Sequence, residues 1–114
     1  MRGEIWTVTG GADTSKPRLV MIMQARFFSE TDSVSVLPLT TTEVEAPLLR
    51  MPITAAPFTG LAGDSWLMID KVTTIRRASL GERVGWVHRW DLSKAEHLLA
   101  VFLGIAGDRP VISL

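Results

Sequence analysis

Along most of this chain apolar and polar residues alternate or gather into short apolar runs, and only near its end does the apolar spacing lengthen to that of a helix. Glu4-Ile5-Trp6-Thr7-Val8 reads as a half-buried strand with Ile5 and Trp6 on opposite faces, Trp6 as a packing residue. Leu19-Val20-Met21-Ile22-Met23, closed by Gln24, is too short to cross a membrane and predicts a buried strand. Val34-Ser35-Val36-Leu37-Pro38-Leu39 predicts another, emptying into Thr40-Thr41-Thr42. Proline lacks a ladder donor, so this strand is expected at an edge or bulged near Pro38. Val44, Leu48, Leu49, Met51 and Ile53 predict a further strand, broken by Pro47 and confined by Pro52 and Pro57. After a turn from Thr59 to Asp64, Ser65 to Ile69 predict a buried strand, and Leu80-Gly81-Glu82-Arg83 a tight turn into a last strand from Val84 to Val87.

The last element has a different period. Leu92, Ala95, Leu99, Phe102, Leu103 and Ala106 recur at helical spacing behind Asp91 as N-cap, with Gly107 as the stop. His97 falls on the solvated side, and Leu98 and Val101, off the stripe, predict a partner surface. Many short strands with turns between them, followed by one helix, predict a mainly β domain built as a small barrel.

The connectors carry the candidate chemistry. Thr9 to Lys16 has loop composition and ends at Pro17, whose fixed φ biases Lys16 toward an extended conformation and delivers Arg18 to the mouth of the apolar run. Phe27 and Phe28 open the connector to Ser33. They are expected to pack in the core or an interface, with stacking on bases as the alternative.

With 114 residues, the chain has room for one domain and one main core. Hydrophobic residues make up 46% and charged ones 21%, a balance that excludes a disordered chain. There is no cysteine, so disulfides and thiolate metal sites are excluded, and only His88 and His97 offer imidazoles. No metal site or cofactor is expected. No apolar run reaches membrane-spanning length and Met1-Arg2-Gly3-Glu4 lacks a signal-peptide core, so a cytoplasmic protein without a membrane partner is expected. The formal net charge of zero argues against indiscriminate nucleic-acid binding but leaves room for a local basic groove. The candidates for it are Lys16, Arg18, Arg26, Lys71, Arg76 and Arg77, opposed by Glu43, Glu45, Asp64 and Asp70.

Two strand ends, one carrying Arg18 and the other Thr40, resemble the active site of the MazF/PemK family of toxin endoribonucleases. The resemblance is collinear over most of the chain. Arg2-Gly3-Glu4-Ile5-Trp6-Thr7-Val8 resembles the family's first strand, Arg18 to Gln24 its second, and Leu37-Pro38-Leu39-Thr40-Thr41 its "VPLTS" strand. Asp64-Ser65-Trp66-Leu67-Met68-Ile69-Asp70-Lys71-Val72-Thr73-Thr74-Ile75 resembles its "DSWVxxDQIRTI" segment, and Leu80-Gly81, Val84-Gly85 and a last helix follow in order.

The resemblance implies a small SH3-like, CcdB/MazF-type β-barrel over residues 1–107, with 108–114 as a C-terminal tail whose Val111-Ile112 is a candidate edge strand. It implies a toxin of a type II toxin-antitoxin system. Such a toxin is a metal-independent, sequence-selective endoribonuclease that cuts single-stranded RNA through the 2′-hydroxyl, leaving a 2′,3′-cyclic phosphate and a 5′-hydroxyl. Arg18 and Thr40 take the catalytic roles; Lys16, Thr41, Ser65 and Lys71 contact RNA. A homodimer and a cognate antitoxin are the implied protein partners. Three features depart from the family pattern: Pro17 precedes Arg18, Lys71 stands where glutamine is usual, and the loop before Arg18 is short. That loop lacks the family's Gly-Ser-Glu element, for which Asp13, Thr14 or Ser15 are the candidate substitutes. The general base is unassigned. Two other readings stay open: a CcdB-like gyrase poison of the same fold, and a non-enzymatic small-barrel adaptor.

Overall fold

The computed structural model describes residues 1–9 and 18–105. Its strands are β1 (Glu4–Val8), β2 (Arg18–Ile22), β3 (Ser33–Thr40), β4 (Arg50–Ile53), β5 (Ser65–Met68), β6 (Thr73–Arg76) and β7 (Leu80–Trp86), followed by helix α1 (Arg89–Phe102). All pairings are antiparallel, in the order β4-β5-β3-β2-β1-β7, with β6 also on β3. The mainly β architecture with a terminal helix is the expected one.

Alternation along the central strands divides the interior in two. Ile5, Met21 and Leu37 point into a core shared with Met51, Ile53, Leu67 and Ile69, which α1 covers with Ala95 and Leu98. Val20, Ile22, Val34 and Val36 point the other way, against Trp6, Val8, Ile75 and Leu80. Because β2 is buried on both faces, it reads as one continuous apolar run. A short 3-10 turn, Arg77–Ser79, joins β6 on β3 to β7 on β1, so the chain arches over β2 and closes the second core. Ile5 and Trp6 thus lie on opposite faces as expected, and the Trp6 indole donates to Glu4 Oε1 at 3.1 Å. Burial of the Glu4 carboxyl is outweighed by bonds from the Met1 ammonium, the Trp6 indole and Arg83, which hold it below its ordinary value of 4.5.

Several sequence expectations are corrected. The strand bearing Pro38 is central, not at an edge: β3 pairs with β6 through Val36 and with β5 from Leu39, and Pro38 falls where the partner on that side changes. A missing donor costs least at such an interruption. Pro52 does lie on an edge strand, β4. Leu80 to Arg83 form no tight turn but belong to β7, where register shifts against β1 mark bulging and the Glu82 N–H bonds Thr7 Oγ1 at 2.9 Å. β6 was not foreseen; its Thr73, Thr74 and Arg76 are exposed and only Ile75 supplies an apolar signal. Phe27 and Phe28 are not in the core: they lie 89% and 53% exposed in an edge-to-face pair.

The helix also differs in detail. His88, not Asp91, is the N-cap, its Nδ1 accepting from the Trp90 N–H at 3.1 Å. Asp91 sits in the first turn, where its carboxylate complements the helix dipole. Leu98 is buried in the core instead of facing a partner, and Val101 is half-buried, whereas Phe102, Leu103 and Ile105 are exposed. The end comes earlier than Gly107: the Ile105 N–H bonds Ala100 O and the Gly104 N–H bonds Val101 O, with Gly104 at φ +72 closing the turn in the left-handed region. His97 is exposed as expected. Ala106, Gly107 and the tail 108–114, with its Val111-Ile112 segment, lie outside the described residues, as do Asp13 to Pro17.

Candidate active site

A groove of about 560 Å³ opens at one end of the β2–β3 pair, lined by Arg18, Thr40, Thr41 and Ser65 among more numerous apolar side chains. Val20 pairs with Pro38, and the same register carried two residues outward sets Arg18 opposite Thr40. The two strand ends marked by the sequence therefore converge through sheet pairing.

Arg18 begins β2, exposed, and among the described residues its side chain makes no hydrogen bond or ion pair. Other arginines are engaged: Arg2 with Glu96, Arg50 with Asp70 and Arg83 with Glu4. A guanidinium without a carboxylate keeps its donors and its charge for a ligand. Thr40 ends β3, and its Oγ1 accepts from the Thr42 N–H at 3.1 Å, which leaves the hydroxyl proton to donate. Ser65 is buried and donates to Gly63 O at 3.1 Å, so its oxygen is left as an acceptor. Thr41 is exposed on the rim.

Lys71 does not line the groove. It is exposed in the 3-10 turn Ile69–Lys71, between Met68 and Thr73, which do line it. Lys16 lies outside the described residues. Of the other cations considered for the groove, Arg76 and Arg77 border a different cavity, with Glu30 and Asp32. Arg76 pairs with Ser33 at the start of β3, about 23 Å along the strand from Thr40 at ~3.3 Å per residue. Arg77 is spent on the Thr31 carbonyl at 2.6 Å, and Arg26 lies in the connector at that same far end. Of the opposing acids, Asp64 accepts from the Ala55 N–H at 2.8 Å and Asp70 pairs with Arg50, whereas Glu43 and Glu45 are exposed.

Sequence reasoning missed the apolar walls of the groove, Val8, Leu19, Val20, Leu39, Met68 and Ile75, and the hydroxyl of Thr73. The signal for Thr73 was its register opposite Val36, which only strand pairing supplies. Among the described residues no group of three His, Asp or Glu side chains is placed to hold a metal ion, and no helix is long and apolar enough to cross a membrane.

Residues 1–103 match the family of PemK-like, MazF-like toxins of type II toxin-antitoxin systems. The chain is 51% identical over 107 residues to a probable endoribonuclease MazF of Mycolicibacterium smegmatis, an alignment covering 93% of this chain and 98% of that protein. Its fold is similar to that of a mycobacterial endoribonuclease solved in complex with its cognate antitoxin, with a TM-score of 0.78 at 22% identity over 95% of this chain and 98% of that one. It is also similar to the Mycobacterium tuberculosis toxin MazF-mt6, with a TM-score of 0.76 at 21% identity over 91% and 99% of the two chains. The collinear motifs, the arched barrel with its terminal helix and the match across nearly the whole chain lead to one conclusion: this protein belongs to the MazF/PemK family of toxins of type II toxin-antitoxin systems.

Proposed function

We propose that this MazF-type endoribonuclease cuts single-stranded RNA in the Arg18–Thr40 groove, by attack of the 2′-hydroxyl on the adjacent phosphorus. The observation that carries the reading is an exposed Arg18, with no side-chain partner among the described residues, across from a Thr40 whose hydroxyl proton has no acceptor among them, on one apolar-walled groove.

As the 2′-oxygen bonds to phosphorus, negative charge builds on the non-bridging oxygens, and the bond to the 5′-oxygen breaks. The proton of the 2′-hydroxyl is lost and the departing 5′-oxygen gains one, which leaves a 2′,3′-cyclic phosphate and a 5′-hydroxyl. Arg18 offers fixed, charged donors to the developing charge, and Thr40 adds a neutral donor to the same phosphate. The apolar walls lower the local dielectric and strengthen both interactions. Thr41 and Ser65 hold the neighbouring nucleotide, and Lys16 and Lys71 contact flanking phosphates. Among the described residues that line the groove there is neither carboxylate nor imidazole, so charge stabilisation and orientation carry the catalysis proposed for them.

The test is cleavage of a long RNA in excess chelator, with the ends mapped chemically. Cleavage should persist and yield cyclic-phosphate ends, and Thr40→Ala should slow it by about tenfold, less than loss of the arginine. A requirement for added magnesium, or 5′-phosphate ends, would sink this chemistry. A chain that poisons gyrase and leaves RNA intact would instead be the CcdB-like alternative.

Proposed partners follow from the family and from the exposed apolar side chains. Phe102, Leu103 and Ile105 at the end of α1 are suited to burial in a two-fold homodimer. A cognate antitoxin, laid as an extended segment over the groove, would silence the toxin in the cytoplasm. Light scattering should give a dimeric mass at micromolar concentration, and Phe102→Asp with Leu103→Asp should give a monomer. An unaltered mass would remove this surface from the interface.

A further inference from the structure

At the opposite end of β1 from the groove, a second cavity of about 610 Å³ opens between Arg2, Glu4, Phe58, Trp86, His88 and Arg89. Val8 lines the catalytic groove and Glu4 lines this cavity, four residues or about 13 Å apart on one strand. Three rings line it, Trp86, Phe58 and His88, and Trp90 beside the cavity continues them as a connected row of four. The centroids of Trp86 and Phe58, of Phe58 and His88, and of His88 and Trp90 are each 6.4 Å apart, and the last pair is near-parallel at 14°.

The row is exposed and held in place. Trp86 is 51% exposed, Trp90 70% and Phe58 37%, an arrangement that leaves three large rings facing water. Two glycines seat it: a Cβ on Gly85 would lie 2.2 Å from Thr59 O, and one on Gly60 would lie 2.0 Å from Val84 O. Backbone therefore packs on backbone here, and the Trp86 N–H bonds Phe58 O at 3.0 Å, fixing the two rings side by side. His88 is fixed as the helix N-cap. Arg89 lies over the Trp90 ring at 5.4 Å, and among the described residues no carboxylate pairs with it. Glu4, the one acid lining the cavity, is already neutralised by the Met1 ammonium and by Arg83 at 3.1 Å.

Fixed, exposed aromatic faces beside an unpaired arginine match single-stranded nucleic acid, whose bases stack on any aromatic ring while its phosphates seek cations. We propose that this row is a second RNA-binding surface, on which unpaired bases flanking the cut site stack while Arg89 contacts their phosphate. The occupant is the same RNA strand that lies in the groove, so the inference rests on the endoribonuclease reading. Its effect is on substrate capture and not on the chemical step, because the row is remote from the Arg18–Thr40 phosphate. Long, unstructured RNA would be captured better than a minimal oligonucleotide.

The test compares the wild type with Trp90→Ala and Arg89→Glu on two substrates, a short RNA just spanning the cut site and the same RNA with unpaired extensions. Each change should raise KM for the extended RNA about tenfold, leave kcat unaltered, and leave the short RNA unaffected, since one lost stack is worth roughly a factor of ten. Equal KM values for the extended RNA in wild type and both variants would overturn the proposal. If no protein cuts either RNA, the endoribonuclease reading has failed, and the surface is then tested by tryptophan fluorescence. Quenching by polyadenylate that Trp90→Ala and Arg89→Glu weaken would support the RNA surface. Absence of quenching, or displacement of polyadenylate only from elsewhere while an acidic aromatic peptide quenches these tryptophans, would overturn it in favour of a protein-binding face.

Discussion

Arg18→Ala should lower the rate of RNA cleavage by a hundredfold or more, on the order of 3 kcal/mol of transition-state stabilisation, while the protein stays folded. The guanidinium is exposed at the first position of β2, outside both cores, so its loss leaves no cavity and stability should change by less than about 0.5 kcal/mol. No ion pair is broken either, since Arg18 has none among the described residues. The energetic cost should therefore appear almost wholly in catalysis. Single-turnover cleavage at saturating RNA, read beside a urea melt, separates the two quantities. Lys16→Ala provides the control, because Lys16 precedes Arg18 by two residues and carries the same charge. Normal cleavage by Arg18→Ala with loss of cleavage by Lys16→Ala would transfer the catalytic charge to the lysine.

Leu67→Ala should destabilise the fold by about 2–5 kcal/mol, the range for emptying a leucine-sized space in a packed core. Leu67 is fully buried in the main core, and its strand position is opposite Leu39 on one side and Met51 on the other. The cavity would thus open where β5 joins β3 to β4, with little freedom for neighbours to collapse into it. Against a total stability of about 5–15 kcal/mol for a domain of this kind, that is a large share. The denaturation midpoint should fall with the slope preserved; a shift equivalent to less than about 1 kcal/mol would mean that this junction is not packed as described.

Most elements were legible because their burial is local in pattern. β2 is buried on both faces and reads as an unbroken apolar run; β1 is split between two cores and reads as alternation. β6 escaped notice because its hydrogen bonds and not its side chains hold it: three of its four residues are exposed. The Leu80 to Arg83 segment misled because glycine and charge in sequence signal a turn, while here a bulge against Thr7 accommodates both within a strand. Leu98 was assigned to the wrong face because two apolar stripes overlap on α1, and helical period alone cannot say which one meets the sheet.

The sequence by itself determined every strand but β6, the terminal helix and the two residue types, a cation at one strand end and a hydroxyl at another, that point to phosphate chemistry. These are properties of short segments, whose periodicity and breakers act within a few residues. Only the tertiary structure decided which of the cations stand together. Antiparallel pairing carries Arg18 to Thr40 and sends Arg76 and Arg77 to the far end of the same hairpin, because register is a relation between strands and is not written in either one. It also decided that Phe58, Trp86, His88 and Trp90 form one row, since two glycines let a distant turn and the last strand touch backbone to backbone.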